Sequence, residues 1–135
     1  MFSASIGFAL SLAVAFLARV TRFDRDSSFY PSILIFIASF YILFAVLAGH
    51  SIYRELSIAL AFSCVAIFGA YKSLLIVGLG IVAHGIYDIF QVTVFSNNVA
   101  PMWWPSFCGV VDLALGLWVI YLSKSRQVQV KQHVV

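Results

Sequence analysis

His84 and Asp88 stand four residues apart in the apolar run LLIVGLGIVAHGIYDIFQVTV, and Cys108 and Asp112 repeat that spacing in the next, SFCGVVDLALGLWVIYL. A four-residue step returns to the same helical face, so each run presents a polar stripe, and Gln91 extends the first by one turn. Ionisable groups in such surroundings cost ~2.5 to 3.5 kcal/mol each on insertion scales, so they demand a partner, a water cavity or a function. His84, Asp88 and Asp112 supply the N and O donors that suit a divalent metal such as zinc, iron or manganese. Depth counted from the ends of the runs puts Cys108 about 12 Å from the level of His84, outside that ligand set.

The same three residues suit acid and base chemistry. Two carboxyls close together in low dielectric cannot both ionise, so one keeps a proton to donate while His84 relays or accepts it. A hydrophobic small molecule entering from the outer leaflet would be the substrate. Cys108 is a poor nucleophile beside Asp112, whose charge opposes a thiolate. Arg54, Gln91, Trp103, Trp104 and Cys108 are the candidate binding residues around this centre. There is no phosphate-binding glycine loop, nucleophile elbow or HExxH motif.

The first reading of these groups is structural: His84, Asp88, Asp112 and Arg54 form a hydrogen-bonded network that holds two helices together in a small membrane component, alone, as a homo-oligomer or in a larger complex. A membrane-embedded enzyme or binding protein using His84, Asp88 and Asp112 is the alternative. Ion transport has less support, because no polar residues mark the cytoplasmic half of a pathway. Nor is nucleic acid expected as a partner, since the basic residues lie in short caps between apolar segments.

The elements that carry these residues follow from composition. Of 135 residues, 63% are hydrophobic and 10% charged, against roughly a quarter charged in a soluble domain. The surrounding partner is therefore the lipid bilayer. Five apolar runs predict an all-α, five-span transmembrane bundle over residues 1–123, with spans at 2–18, 32–48, 56–71, 73–94 and 106–122. Residues 124–135 form a short basic cytoplasmic tail. The first run lacks the basic lead of a signal peptide and reads as a retained span.

An odd number of spans puts the termini on opposite sides. Arg19, Arg22, Arg25, Lys72, Lys124, Arg126 and Lys131 fall on one face and only Arg54 on the other, which predicts the N-terminus outside and the C-terminus inside. Asp88, Asp112, His50, Asn97 and Asn98 then gather in the outer half, and Trp103 and Trp104 fall at the outer interface. Asp24 and Asp26 read as part of a solvated loop, Glu55 as a helix-start residue paired with Arg54, and Cys64 as a packing residue. Gly78 and Gly85, with Gly109 and Gly116, permit close approach of spans four and five.

AHGIYD, residues 83–88, and PMWWPSFCGVVD, residues 101–112, resemble the Ala-His-Gly-x-x-Asp and Pro-x-Trp-aromatic-Pro, Phe-Cys-x-x-x-Asp segments of an uncharacterised family of small bacterial multi-pass membrane proteins. The resemblance covers about thirty residues. It implies a shared buried site and a cell inner-membrane location, and brings no established reaction. Gln91 and Val92 stand where such proteins often have histidines.

Overall fold

A computed structural model describes the backbone of residues 2–93 and 101–134 and the side chains of 2–91 and 101–126. Asn97 and Asn98 lie outside the described residues. The described chain is all-helical: α1 (Phe2–Thr21), a 3-10 turn (Phe23–Arg25), α2 (Phe29–Ala48), α3 (Tyr53–Lys72), α4 (Leu74–Thr93) and α5 (Trp104–Val134). All five α-helices are long and apolar enough to cross a membrane. Four of them have 20 residues, about 30 Å at 1.5 Å per residue, which is the thickness of a hydrocarbon layer.

Four of the helices, α1, α2, α3 and α5, start earlier or finish later than the apolar runs because polar and aromatic residues complete the terminal turns, whereas α4 falls within its run of 73–94. Pro31 and Pro105 both lie in first turns, where no N–H is required of them. Between α3 and α4 the chain breaks at the single residue Ser73. Its extended backbone ends α3, and its hydroxyl accepts a hydrogen bond from the Leu75 N–H at 3.2 Å, capping α4. α5 continues without a break from the apolar run through the basic residues to Val134. Arg, Gln and Lys favour helix, and no Gly or Pro interrupts them.

α5 packs on α4 and α1, while α2 packs on α3 and α3 on α4. One core cluster joins Tyr30, Leu34, Ala66, Val77, Ile81, Leu115, Val119 and Leu122. Within it the Trp118 indole N–H donates to the Tyr30 hydroxyl at 3.1 Å, tying α5 to α2. The outside of the bundle is studded with large apolar side chains, among them Phe16, Leu47, Phe68 and Leu117. Cys64 belongs to this outer surface rather than to the packed interior expected of it. α3 turns Ala59, Ala66 and Gly69 inward instead, and Cys64 falls off that stripe.

α4 and α5 approach closely at glycines. A Cβ on Gly116 would stand 2.5 Å from Val82 Cγ2, and one on Gly85 2.9 Å from the Asp112 Cβ. Only glycine admits this contact, and it sets the relative height of the two helices.

At the opposite end of the bundle, Asp24 departs from the solvated loop expected of it. Its side chain is 7% exposed, with Oδ2 at 3.8 Å from Arg126 Nη2 and 4.0 Å from Arg19 Nη1. Arg126 also donates to the Asp24 carbonyl, so α5 clasps the turn between α1 and α2. Asp26 does remain in solvent, where the Ser28 N–H and hydroxyl, at 2.9 and 2.7 Å, hold its carboxyl below the usual range.

Candidate metal centre

The glycine contact brings the two polar stripes face to face. His84 Nδ1 lies 2.7 Å from Asp112 Oδ2 across the α4–α5 interface and 3.6 Å from Asp88 Oδ2 on its own helix. Cys108 Sγ lies 3.7 Å from Asp112 Oδ2. One ligand atom from each of His84, Asp88, Cys108 and Asp112 falls within 4.8 Å of all the others. The four side chains are among the most enclosed in the protein, between 0% and 3% exposed.

Cys108 is thus inside the cluster, contrary to the depth expected from the apolar runs. Those runs set Val94 opposite Ser106, which separates His84 from Cys108 by about two turns. Gly85 instead packs against Gly109 and Asp112, and Gly116 against Val82. This register brings the two residues about one turn apart, or ~6 Å along the axis, a gap their side chains close.

The cluster's hydrogen bonding is incomplete. Both carboxylate oxygens of Asp88, the Oδ1 of Asp112 and the hydroxyl of Tyr41 are buried with no hydrogen bond of ordinary length, although the Tyr41 hydroxyl, the Cys108 thiol and the Asp112 carboxyl all face Asp88. A buried carboxylate oxygen left unpaired costs several kcal/mol, so such atoms point to a missing counterpart. A retained proton would satisfy one carboxyl, and a divalent cation would serve both. Two aspartates, a Cys108 thiolate and a neutral imidazole around a 2+ ion leave one negative charge, against three for the ligands alone, which a low-dielectric interior accepts far better.

Donor geometry agrees. Bonds of ~2.0 to 2.3 Å in a tetrahedron put neighbouring donor atoms roughly 3.3 to 3.7 Å apart, against 2.7, 3.6 and 3.7 Å here. All six donor separations fall within 4.8 Å, so closing on one ion would need shifts of about 1 Å or less at each donor. An N, S, O, O set fits zinc, and the described residues leave no fourth position unfilled.

Aromatic rings wall the site. The Phe62 ring meets His84 edge-on at 4.8 Å, and Tyr41 and Tyr87 stand 6.4 and 6.1 Å from it. Tyr41 was not signalled by spacing, although a tyrosine in mid-span, away from an interfacial belt, is itself an unusual placement. Above the cluster, buried Gln91 donates to the Tyr87 hydroxyl at 2.5 Å.

The remaining candidates separate. Arg54 belongs to the start of α3, where its guanidinium binds Glu55 Oε1 at 2.7 and 3.1 Å, and it is not one of the four clustered residues. Glu55 is buried in the first turn of α3, as the helix-start reading expected. His50 is exposed beyond the end of α2. The two tryptophans differ: Trp103 is exposed, whereas Trp104 packs between Phe40 and Phe44, 4.9 Å from each, beside Cys108.

Fold and site together define a five-helix bundle with membrane-spanning dimensions and a buried His, Cys and double-Asp cluster between its last two helices. Comparison with protein families, curated proteins and solved structures finds no match to this chain.

Proposed function

We propose that this is a multi-pass protein of the cell inner membrane whose His84, Asp88, Cys108 and Asp112 hold one divalent transition metal, zinc by donor chemistry, as a clamp between α4 and α5. The observation that carries this reading is the buried group of four donor atoms within 4.8 Å of one another, two of them on carboxyls whose hydrogen bonding is incomplete. A closed site with four protein donors is the pattern of a structural metal, since a catalytic metal keeps a position open for water or substrate. The protein is then a structural or accessory membrane component, as the buried network in its sequence suggests, with the metal joining that network. The clustering of basic residues favours the N-terminus outside and the C-terminus inside.

Elemental analysis of the detergent-purified protein tests the assignment. The expected result is one zinc per chain, lost in His84→Gln and Asp112→Asn variants that still accumulate. Native protein without metal that also takes up none on zinc titration would overturn it. For orientation, a reporter active only outside the cytoplasm, fused after Val135, should be silent.

A further inference from the structure

Away from the metal cluster, the end of the bundle where α1 closes and α5 emerges holds a recess of ≈ 220 Å³. Arg19 in the last turn of α1, Arg22 and Arg25 in the following turn, and Arg126 with Ser125 on α5 all line it. Against four guanidinium groups stands one carboxylate, Asp24, which is occupied by Arg126 and Arg19. Arg22 and Arg25 make no ion pair among the described residues. Four like charges around one concavity repel one another, and Asp24 offsets only part of that repulsion, leaving Arg22 and Arg25 with no described counter-charge.

We infer that this recess binds a phosphate group, carried by an anionic lipid head group or free in solution. Guanidinium forks match phosphate oxygens in paired hydrogen bonds, and a phosphate offers enough oxygens and charge to engage several at once. The volume is several times the ~30 Å³ that a single water occupies, so a phosphate group fits with part of its ester. Position favours the lipid source, because the recess lies where two apolar helices reach their polar ends, the depth of head groups at a membrane surface. Leu122, buried on its floor, provides an apolar edge.

The test uses the full chain in nanodiscs of phosphatidylcholine alone or with equal parts phosphatidylglycerol, read by native mass spectrometry, with inorganic phosphate as competitor. Wild type should retain phosphatidylglycerol in preference to phosphatidylcholine, and phosphate should displace it. Arg22→Gln with Arg25→Gln should weaken retention about tenfold or more, because it removes two of the charged donors. Lys124→Gln, which removes an exposed charge outside the recess, should change nothing. Binding of inorganic phosphate without lipid selectivity would assign the free anion as the source. The inference fails if wild type neither distinguishes the two lipids nor binds phosphate, or if Lys124→Gln weakens binding as much as the double variant. The wild-type comparison stands even if the double variant does not fold.

Discussion

The Nδ1 of His84 meets the Oδ2 of Asp112 at 2.7 Å, and this contact joins α4 to α5 across 28 residues of sequence. Asp88 Oδ2 approaches the same nitrogen at 3.6 Å, so one imidazole nitrogen faces two carboxylates from two helices. A cation among them would give one atom of each of the four residues a partner. Without one, several carboxylate oxygens are left buried and unpaired.

Metal removal should therefore show in stability. A ligand that binds only the folded state adds RT ln(1 + [L]/Kd), about 2.7 kcal/mol at a hundredfold excess over Kd. A membrane-permeant chelator should lower the unfolding midpoint of wild type and leave that of His84→Gln where it is. Unfolding followed by tryptophan fluorescence or circular dichroism measures both, and equal sensitivity of the two proteins would argue against the clamp.

Two glycines on the same face of α5 should respond in opposite ways to one added methyl. At Gly116 the new Cβ would press on Val82 Cγ2 at 2.5 Å and on the Val82 nitrogen at 2.9 Å, whereas at Gly109 nothing comes nearer than 3.6 Å. Gly116→Ala should cost about 1 to 3 kcal/mol, as overpacking does, and reduce metal content by spreading the helices. Gly109→Ala should retain both stability and metal.

The two cysteines should differ in reactivity. Cys64 lies on the outer surface of α3, while Cys108 is 3% exposed within the cluster. A membrane-soluble maleimide should label the native protein once, at Cys64, and a second time only after unfolding with a chelator. Peptide mass spectrometry locates the label. Labelling of Cys108 in the native protein would contradict the enclosed site.

Loss of one hydroxyl tests the link between α2 and α5. Tyr30→Phe leaves the Trp118 indole N–H without its acceptor. Hydrogen bonds between membrane helices average ~0.6 kcal/mol and reach ~1.7, so the change should destabilise by that amount and leave metal content intact. Chemical unfolding in mixed micelles resolves a difference of this size.

Much of the site can be read from spacing alone. The four-residue steps from His84 to Asp88 and from Cys108 to Asp112 place each pair on one face, and nearby glycines mark the facing helix. Height is what spacing cannot supply. It depends on which glycine meets which backbone, so Cys108 belongs to the cluster only once Gly85 is seen against Gly109 and Asp112. Asp24 is hidden from sequence for a similar reason: its arginine partner sits on α5, 102 residues away. The number of helices was legible because apolar length fixes it, while their ends and neighbours were not. Terminal turns are built from residues of mixed polarity, and lipid-facing and helix-facing residues are equally apolar.

The pairing of α1 with α5 has a consequence for how the protein must be made. α1 turns Gly7, Ser11 and Ala18 inward, and the backbone of Phe107 on α5 sits where a Gly7 side chain would be. A ribosome delivers these helices in order, so α1 waits for the last helix before it meets its main neighbour. Half of the metal donors arrive with that same last helix. A nascent chain that stops after α4 therefore exposes the inner face of α1 together with an unmatched His84 and Asp88, which are the features a membrane protease can recognise. Under the proposed clamp, completion of the chain and capture of a metal would be a single checkpoint.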